Sequence, residues 1–456
     1  MPLSGLLPLP PPSPSLPGTA PLPVPPTQAA AAAAPTARFQ EKRDTILAAA
    51  AALFNTQGIK GATLADIATQ VGLVTTSITY YYRRKEDLAT ACFLQAITAH
   101  QGLAQQAAAE ATVVARVQRF FELQAHWLAA IASGAQPALI LFNDIRALPD
   151  AQATTVYTAY NSLFRQVRAL LAGPETAGLA REDLNARGHV LLSVALALRV
   201  WIVRLEPDEY PRVAQRVADL LLHGLAGAGQ HWPGDSALAS LGLHEPQQAA
   251  SSAALASAPP AAAPAGSDET ADAFLRAATE LVNEQGYPGA SVDKISARLH
   301  VTKGSFYHHN ETKFDLIAAC FERSFAVLRQ VLKAAEAAPG SGWQRSCAAA
   351  AQLVRFQLSE RGPLLRSTAT SALPDQAHRE QVSRTQQRLA ERIAVVLVDG
   401  LIDRSVRPQD MAMAARVLAS VIDAAAELRR WVPGVNPDNA GWLYARPALL
   451  GLLCSA

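Results

Sequence analysis

Aromatic residues make up only 6% of these 456 residues, and runs rich in β-branched side chains are scarce. That argues against a β-rich fold and for a helical one, because half of the sequence is apolar and alanine and leucine dominate it. Net charge is close to balance at +2, so nothing global announces a polyanionic partner and any basic surface must be local. The four cysteines, Cys92, Cys320, Cys347 and Cys454, are scattered, with no paired spacing and no histidine cluster. Neither a zinc site nor a disulfide framework is indicated; they read as small buried hydrophobes in a reducing compartment. Long apolar runs are missing as well. Residues 1–35 hold no Lys or Arg and are broken by prolines, so they are not expected to act as a signal peptide. The longest apolar stretch, His189 to Val203, is too short for a membrane span and contains Arg199. No phosphate-binding glycine loop, zinc-protease pair, nucleophile elbow or dinucleotide fingerprint is present, so no enzyme activity and no cofactor is expected.

The chain is long enough for two or three domains. Residues 1–35, rich in Pro and Ala, are expected to be disordered, and so is a second low-complexity stretch at 233–267. The two parts on either side of that linker repeat each other. Gly58 pairs with Gly286, Ile67 with Ile295, Lys85 with Lys313 and Leu88 with Leu316, all at an offset of 228. Further on, Ala147 to Asp150 matches Ala372 to Asp375, and Leu198 to Trp201 matches Leu428 to Trp431. The ordered series, with small drifts in offset, marks an internal duplication.

Periodicity predicts helices throughout. In the first copy they cover 39–57, 64–71, 75–81, a long one from Lys85, then 112–132, 136–147, 151–172, 181–205 and 208–226. In the second they cover 269–285, 291–298, 302–308, 312–337, 342–360, 361–372, 375–403, 408–432 and 437–453. Thr63 and Ser291 stand where helix N-caps belong, and Pro408 at a helix start.

The most informative runs are 73–88 and 301–316. Each follows a short helix, which follows a longer helix ending in glycine. This is the layout of a DNA-binding helix-turn-helix, and it occurs twice. A tight turn projects the third helix outward, so that its first residues reach base edges in the major groove. Arg43, Ile46, Leu47, Leu53, Phe54, Gly58, Thr63, Ile67 and the close from Lys85 to Leu88 resemble the DNA-binding domain of the tetracycline-repressor-like (TetR) family. Ala277, Ala278, Leu281, Gly286, Ser291, Ile295 and the run Val301 to His309 carry the same resemblance in the second copy.

The resemblance implies an all-α chain of two tandem modules. Domain limits are 36–92 and 268–320 for the DNA-binding parts, 93–232 and 321–456 for the helical regulatory parts. It also implies a DNA-binding regulator, a ligand-responsive repressor of the cytoplasm whose partners are a double-stranded operator and an unidentified small effector. In the family the last two helices of each protomer form the dimer interface. Carried over, 181–226 would face 408–453 within one chain, Val190, Leu191, Val194, Leu198 and Trp201 against Val417, Leu418, Val421, Leu428 and Trp431. A linker of about 35 residues spans roughly 30–35 Å as a random coil, enough for that closure.

The expected DNA contacts follow. In the second copy Thr302 caps the reading helix, Gly304 lets backbone approach, Lys303, Ser305, Tyr307 and His308 supply donors, and Lys313 holds a phosphate. In the first copy the readers are Thr75, Thr76, Ser77, Thr79, Tyr80 and Tyr81, with Lys85 at the phosphate position. By position in the motif, Arg43, Thr63 and Ser291 join this set. Val74 replaces the usual cap and Thr76 the usual glycine, so that Thr75 is a candidate to take over capping; Asn310 and Phe314 break the pattern in the second copy. Residues 38–88 carry seven Lys/Arg against five acids, residues 268–316 five against eight, so the first copy should contribute more nonspecific binding. Phe120 and Trp127 are candidates to line a ligand pocket, with simple core packing as the alternative. The histidine pair His308 and His309 lacks further ligands at metal spacing, so no metal is expected. The competing reading of the whole is a helical interaction scaffold with one or both heads silent.

Overall fold

A computed structural model describes residues 37–243, 246, 267–300, 312–373 and 376–455. The expected disorder of 1–35, most of the 233–267 linker and the reading helix at 302–308 lie outside the described residues. Among the described residues the chain is helical, and its one extended pairing is an isolated bridge between Ala226 and Val406.

The first repeat opens with α1 (Ala37–Gly61), interrupted at Gly58, which has φ 70° and ψ 164°. Then come α2 (Leu64–Gln70), α3 (Thr75–Tyr81), α4 (Lys85–Ala107), α5 (Val113–Ala132), α6 (Asp150–Ala169), α7 (Arg181–Trp201) and α8 (Tyr210–His223). The short α9 (Asp235–Ser240) follows. The second repeat holds α10 (Ser267–Gly289), broken at Gly286 with the same φ 70° and ψ 164°, then α11 (Val292–Arg298). Next are α12 (Lys313–Ala337), α13 (Gly342–Leu358), α14 (Gln376–Ile402), α15 (Met411–Ala424), α16 (Leu428–Trp431) and α17 (Arg446–Leu450).

The duplication is visible in side-chain detail. Ile46, Ala50, Ile67, Leu88 and Phe93 are buried, and so are Phe274, Ala278, Ile295, Leu316 and Phe321, their partners at offset 228. The Cys92 thiol donates to Leu47 O, and the Cys320 thiol to Leu275 O. Asn55 donates to Leu139 O and accepts from Leu141 N; Asn283 does the same with Leu364 O and Arg366 N.

Those asparagines explain a correction. Instead of the helices expected at 136–147 and 361–372, only the 3-10 turns Phe142–Ala147 and Ser367–Ala372 form. The residues just before each turn run extended, and a side-chain amide satisfies their backbone. Pro137 and Pro363 add to this, since each disfavours helix in the residue before it. Pro408 is not at a helix start either: α15 begins three residues later, capped by Asp410, whose carboxylate accepts from Met413 N at 3.0 Å. The expected helix 408–432 is divided by the 3-10 turn Ala425–Glu427, and 437–453 opens as the π-turn Gly441–Ala445 before α17. The linker is not featureless at its start. Leu238 and Leu243 pack against the core, and the Arg361 guanidinium reaches Pro246 O.

The described residues from Arg43 onward make one compact unit. Its seam joins the ends of the two repeats. All ten residues of the two expected apolar stripes are buried, and α7 packs on α15, α16 and the π-turn. Helix Arg181–Arg204 is long and apolar enough to cross a membrane, contrary to the reading from the apolar run alone, but 72% of its most apolar window is buried.

Backbone closes the seam further along. Leu225 N donates to Leu449 O and Leu452 N to Leu221 O, both at 2.7 Å. This needs glycine: a Cβ on Gly224, at φ +68°, would lie 2.3 Å from Leu449 O. Gly229 has a similar φ of +75° with nothing near its missing side chain. Gly224→Ala should therefore lower the melting temperature by more than Gly229→Ala, with a cost exceeding about 1 kcal/mol. Equal costs in thermal melts would show that the close approach contributes nothing.

Candidate nucleic-acid interface and interior cavity

Helix α3 is held by one anchor, Ile78, which is fully buried. Around it Thr75, Thr76 and Tyr80 are exposed and Ser77, Thr79 and Tyr81 half-buried. Tyr80 is 77% exposed and meets Tyr81 edge-on at 5.3 Å. The N-cap is Val74, with no side-chain cap, so Thr75 does not take over capping. The Thr79 hydroxyl turns back to Thr76 O at 3.0 Å, a local bond that leaves it the least available of the expected readers.

Three other expected contacts have structural work of their own. Thr63 and Asp66 form a capping box on α2, and the Thr63 hydroxyl also donates to the Asp66 carboxylate at 2.7 Å. Arg43 Nε donates to the Tyr82 hydroxyl at 3.0 Å, bracing α1 against the end of α3. Lys85 Nζ donates to Lys60 O and Ala62 O at 3.2 and 2.9 Å, so two of its three donors tie the end of α1 to the start of α4.

In the second copy Thr302, Lys303, Gly304, Ser305, Tyr307 and His308 lie outside the described residues. Ser291 caps α11 by accepting from Lys294 N at 3.3 Å. Lys313 opens α12; burial and the charge of Lys60 in the first repeat push its ammonium down to about 8. The turn after α11 also differs. His300 takes φ 56° where the first copy has Gly72 at φ 65°, a conformation that costs a non-glycine residue about 1–2 kcal/mol.

Phe120 is buried in the core, while Trp127 packs edge-on to His100 at 5.3 Å and under Arg199 at 5.4 Å. Neither lines a half-open cavity of about 580 Å³ that lies between the repeats. Nothing in the pattern of either repeat announces that cavity, and residues of both repeats surround it. At one end the Arg146 guanidinium of the first repeat and the Arg366 guanidinium of the second both donate to Glu427 Oε1. Burial opposes the charge on Glu427, but Arg366 and Arg146 outweigh it and hold the carboxyl far below its usual range. Burial raises the neighbouring Asp423, which accepts from Ser367 N at 2.7 Å and Ser367 Oγ at 3.0 Å. In the sequence Asp423 and Glu427 stand out only as two acids in the largely apolar stretch 417–428. Among the described residues no group of His, Cys, Asp and Glu could hold a metal ion.

Comparison with known proteins finds the same family domain in both copies. The model for bacterial regulatory proteins of the tetR family matches residues 46–92 and again 274–320. The chain carries the N-terminal helix-turn-helix domain of the tetR family twice. Both matches fall on the helix-turn-helix units and the start of the helix that follows. The transposon Tn10 TetC protein of Escherichia coli is 37% identical over 59 residues, 13% of this chain and 30% of that protein; the match thus spans less than a third of that relative. Solved tetR-family structures cover about two fifths of the chain. The regulator PfmR from Thermus thermophilus has a TM-score of 0.32 at 22% identity, over 38% of this chain and 95% of its own. A regulator from Bordetella parapertussis has 0.35 at 19%, over 40% and 94%.

His100 beneath Trp127 gives a pH test. It is fully buried, its Nδ1 bonds Ala96 O at 2.8 Å, and burial together with Arg199 lowers its pKa from 6.5 to about 3. The unfolded chain takes up this proton below about pH 6.5, whereas the fold refuses it. Stability from this residue should fall as pH drops from 6.5 towards 3, approaching about 1.4 kcal/mol per pH unit. His100→Leu, matching Leu328 of the second copy, should flatten the acid limb of a denaturation series. An unchanged limb would contradict a neutral His100.

Proposed function

We propose that the chain is a single-chain pseudo-dimer, a ligand-responsive repressor of the cytoplasm in which each repeat supplies one DNA-reading head. Two tetR-family domains in one polypeptide make it a DNA-binding regulator; the finer reading is carried by the continuous seam between α7–α8 and α15–α17. A helix-turn-helix dimer presents two heads about one helical turn apart, so joining both halves covalently replaces association of two chains. An effector that fits one arrangement of the seam better than another would shift the spacing of the heads.

The first copy is the stronger candidate for phosphate binding, with its excess of Lys and Arg. Its readers are the exposed Thr75, Thr76 and Tyr80, with Ser77, Thr79 and Tyr81 beside them. Thr302, Lys303, Gly304, Ser305, Tyr307 and His308 serve the second half-site, with Lys313 on a phosphate. Lys303 can donate to guanine O6 and N7, whereas α3 contains no cation.

A mobility shift with the chain's own upstream DNA tests the regulator. Tyr80→Ala should weaken binding by about tenfold without moving the melting temperature, whereas Lys85→Ala should lower both, because Lys85 also ties α1 to α4. No shift with any DNA would favour the scaffold reading. Light scattering should give a monomer near 48.3 kDa. Selection from a random pool should return two unequal half-sites with guanine favoured under the second copy. A perfect palindrome would sink the asymmetric reading, and a single half-site would mean that one head is silent.

A further inference from the structure

The cavity at the seam is chemically lopsided. The matching position to Glu427 in the first repeat is Ala197, to Asp423 it is Ser193, to Arg366 Leu141 and to Arg146 Ser371. The pairing of Arg366 with Leu141 is fixed independently by the Asn55 and Asn283 braces, which hold those two backbones identically. Ala197, Ser193 and Leu141 line the same cavity. The cluster of Arg146, Arg366 and Glu427 therefore has no charged counterpart at Leu141, Ser193 and Ala197, in a volume suited to one small organic molecule.

The polar pole is short of acceptors. Two guanidiniums share one carboxylate oxygen, and Arg366 Nε is buried with no hydrogen-bond partner. The matched tryptophans Trp201 and Trp431, 9% and 7% exposed, also border the cavity, and both indole N–H groups are buried without a partner. Indole and guanidinium are donors only. Buried donors left unmatched on this scale call for an acceptor, and six arginines against three acids in the cavity lining favour one that is charged.

We propose that this cavity is a single composite binding site for an amphipathic organic anion, one carboxylate on an apolar body, bound once per chain. The carboxylate would lie against Arg366 and Arg146 in competition with Glu427, and the apolar body would extend towards Leu141 and Ala197. Because the pole spans both repeats, occupancy would alter the link from the Arg146 turn to the end of α15. The proposal deepens the effector reading above and rests on the pairing of the two repeats.

Calorimetry on the full chain without DNA tests it, with decanoate and decanol as probes. Failure here is thus separable from failure of DNA binding, which the mobility shift reads. One equivalent of decanoate should bind per chain, more tightly than decanol. Arg366→Gln should weaken decanoate by about tenfold or more, the weight of one charge-assisted hydrogen bond, and leave decanol within about threefold. Glu427→Gln should instead strengthen decanoate by about tenfold, because it frees both arginines. A merely structural ion cluster would move both variants in the same direction. Two equivalents per chain, equal affinity for acid and alcohol, no binding of decanoate, or same-sign effects would each overturn the proposal. Should either variant fail to fold by circular dichroism, Arg146→Gln carries the same expectation as Arg366→Gln, and the ratio of acid to alcohol in the unmodified protein still decides.

Discussion

Helices α7 and α15 pack against each other across the two repeats, and burying their facing apolar stripes is the constraint on which the rest of the structure depends. Trp431 illustrates it. Its ring lies 4.4 Å from Phe164 and 5.7 Å from Tyr160, both in the first repeat, while its backbone carbonyl accepts from Asn185 at 2.9 Å. Arg416 of the second repeat returns the contact by covering Trp201 at 5.7 Å. Beyond the helices the backbones themselves pair, which only glycine at 224 and 451 permits. Exposing such a surface would leave an apolar area larger than a soluble monomer usually shows.

Covalent duplication relaxes one rule that binds an ordinary two-fold dimer. In a homodimer every substitution appears on both sides of the axis, so a charge placed near the axis meets its own copy. Here the copies have diverged. The parts that hold the fold together stayed matched: the asparagine braces and the cysteine thiols. Residues near the seam did not. His100 faces Leu328, Glu427 faces Ala197 and Arg366 faces Leu141 in the alignment of the repeats. A cavity with two different poles follows from that freedom, and so does the difference between the reading heads.

Local signals were legible where they were local in origin. Helix α3 was read to the residue, and α2 and α11 to within about one, because caps such as Thr63 and Ser291 act within three residues. The breaks at Gly58 and Gly286 were visible for the same reason. What failed depended on distant partners. The helical spacing around 139–147 suggested a helix, yet Asn55, 84 and 86 positions away from its two partners, captures the backbone first. Nothing in the sequence placed Lys60 O and Ala62 O beside Lys85, so its tie between α1 and α4 went unseen. Of the two readings open for Phe120 and Trp127, core packing is the one their contacts fit, since neither lines the cavity at the seam. The cavity forms between repeats, and no pattern inside one repeat could reveal it.

The buried cluster of Arg146, Glu427 and Arg366 has a second consequence for which surfaces can pair. Charges removed from water rarely add net stability, since desolvation offsets their attraction, but leaving one of them unpaired is strongly unfavourable. Two copies of this chain present four seam faces in solution. If a first repeat met another first repeat, each Arg146 would approach Ala197 where the second repeat offers Glu427, and a half-buried cation would stay without its carboxylate. If a second repeat met another second repeat, Glu427 would keep Arg366 but lose Arg146 to Ser371. The mixed pairing alone brings both arginines onto the Glu427 carboxylate, and within one chain it is also the pairing at highest effective concentration. The same asymmetry that gives the cavity its poles therefore works against the two like-with-like assemblies that a duplicated sequence would otherwise permit.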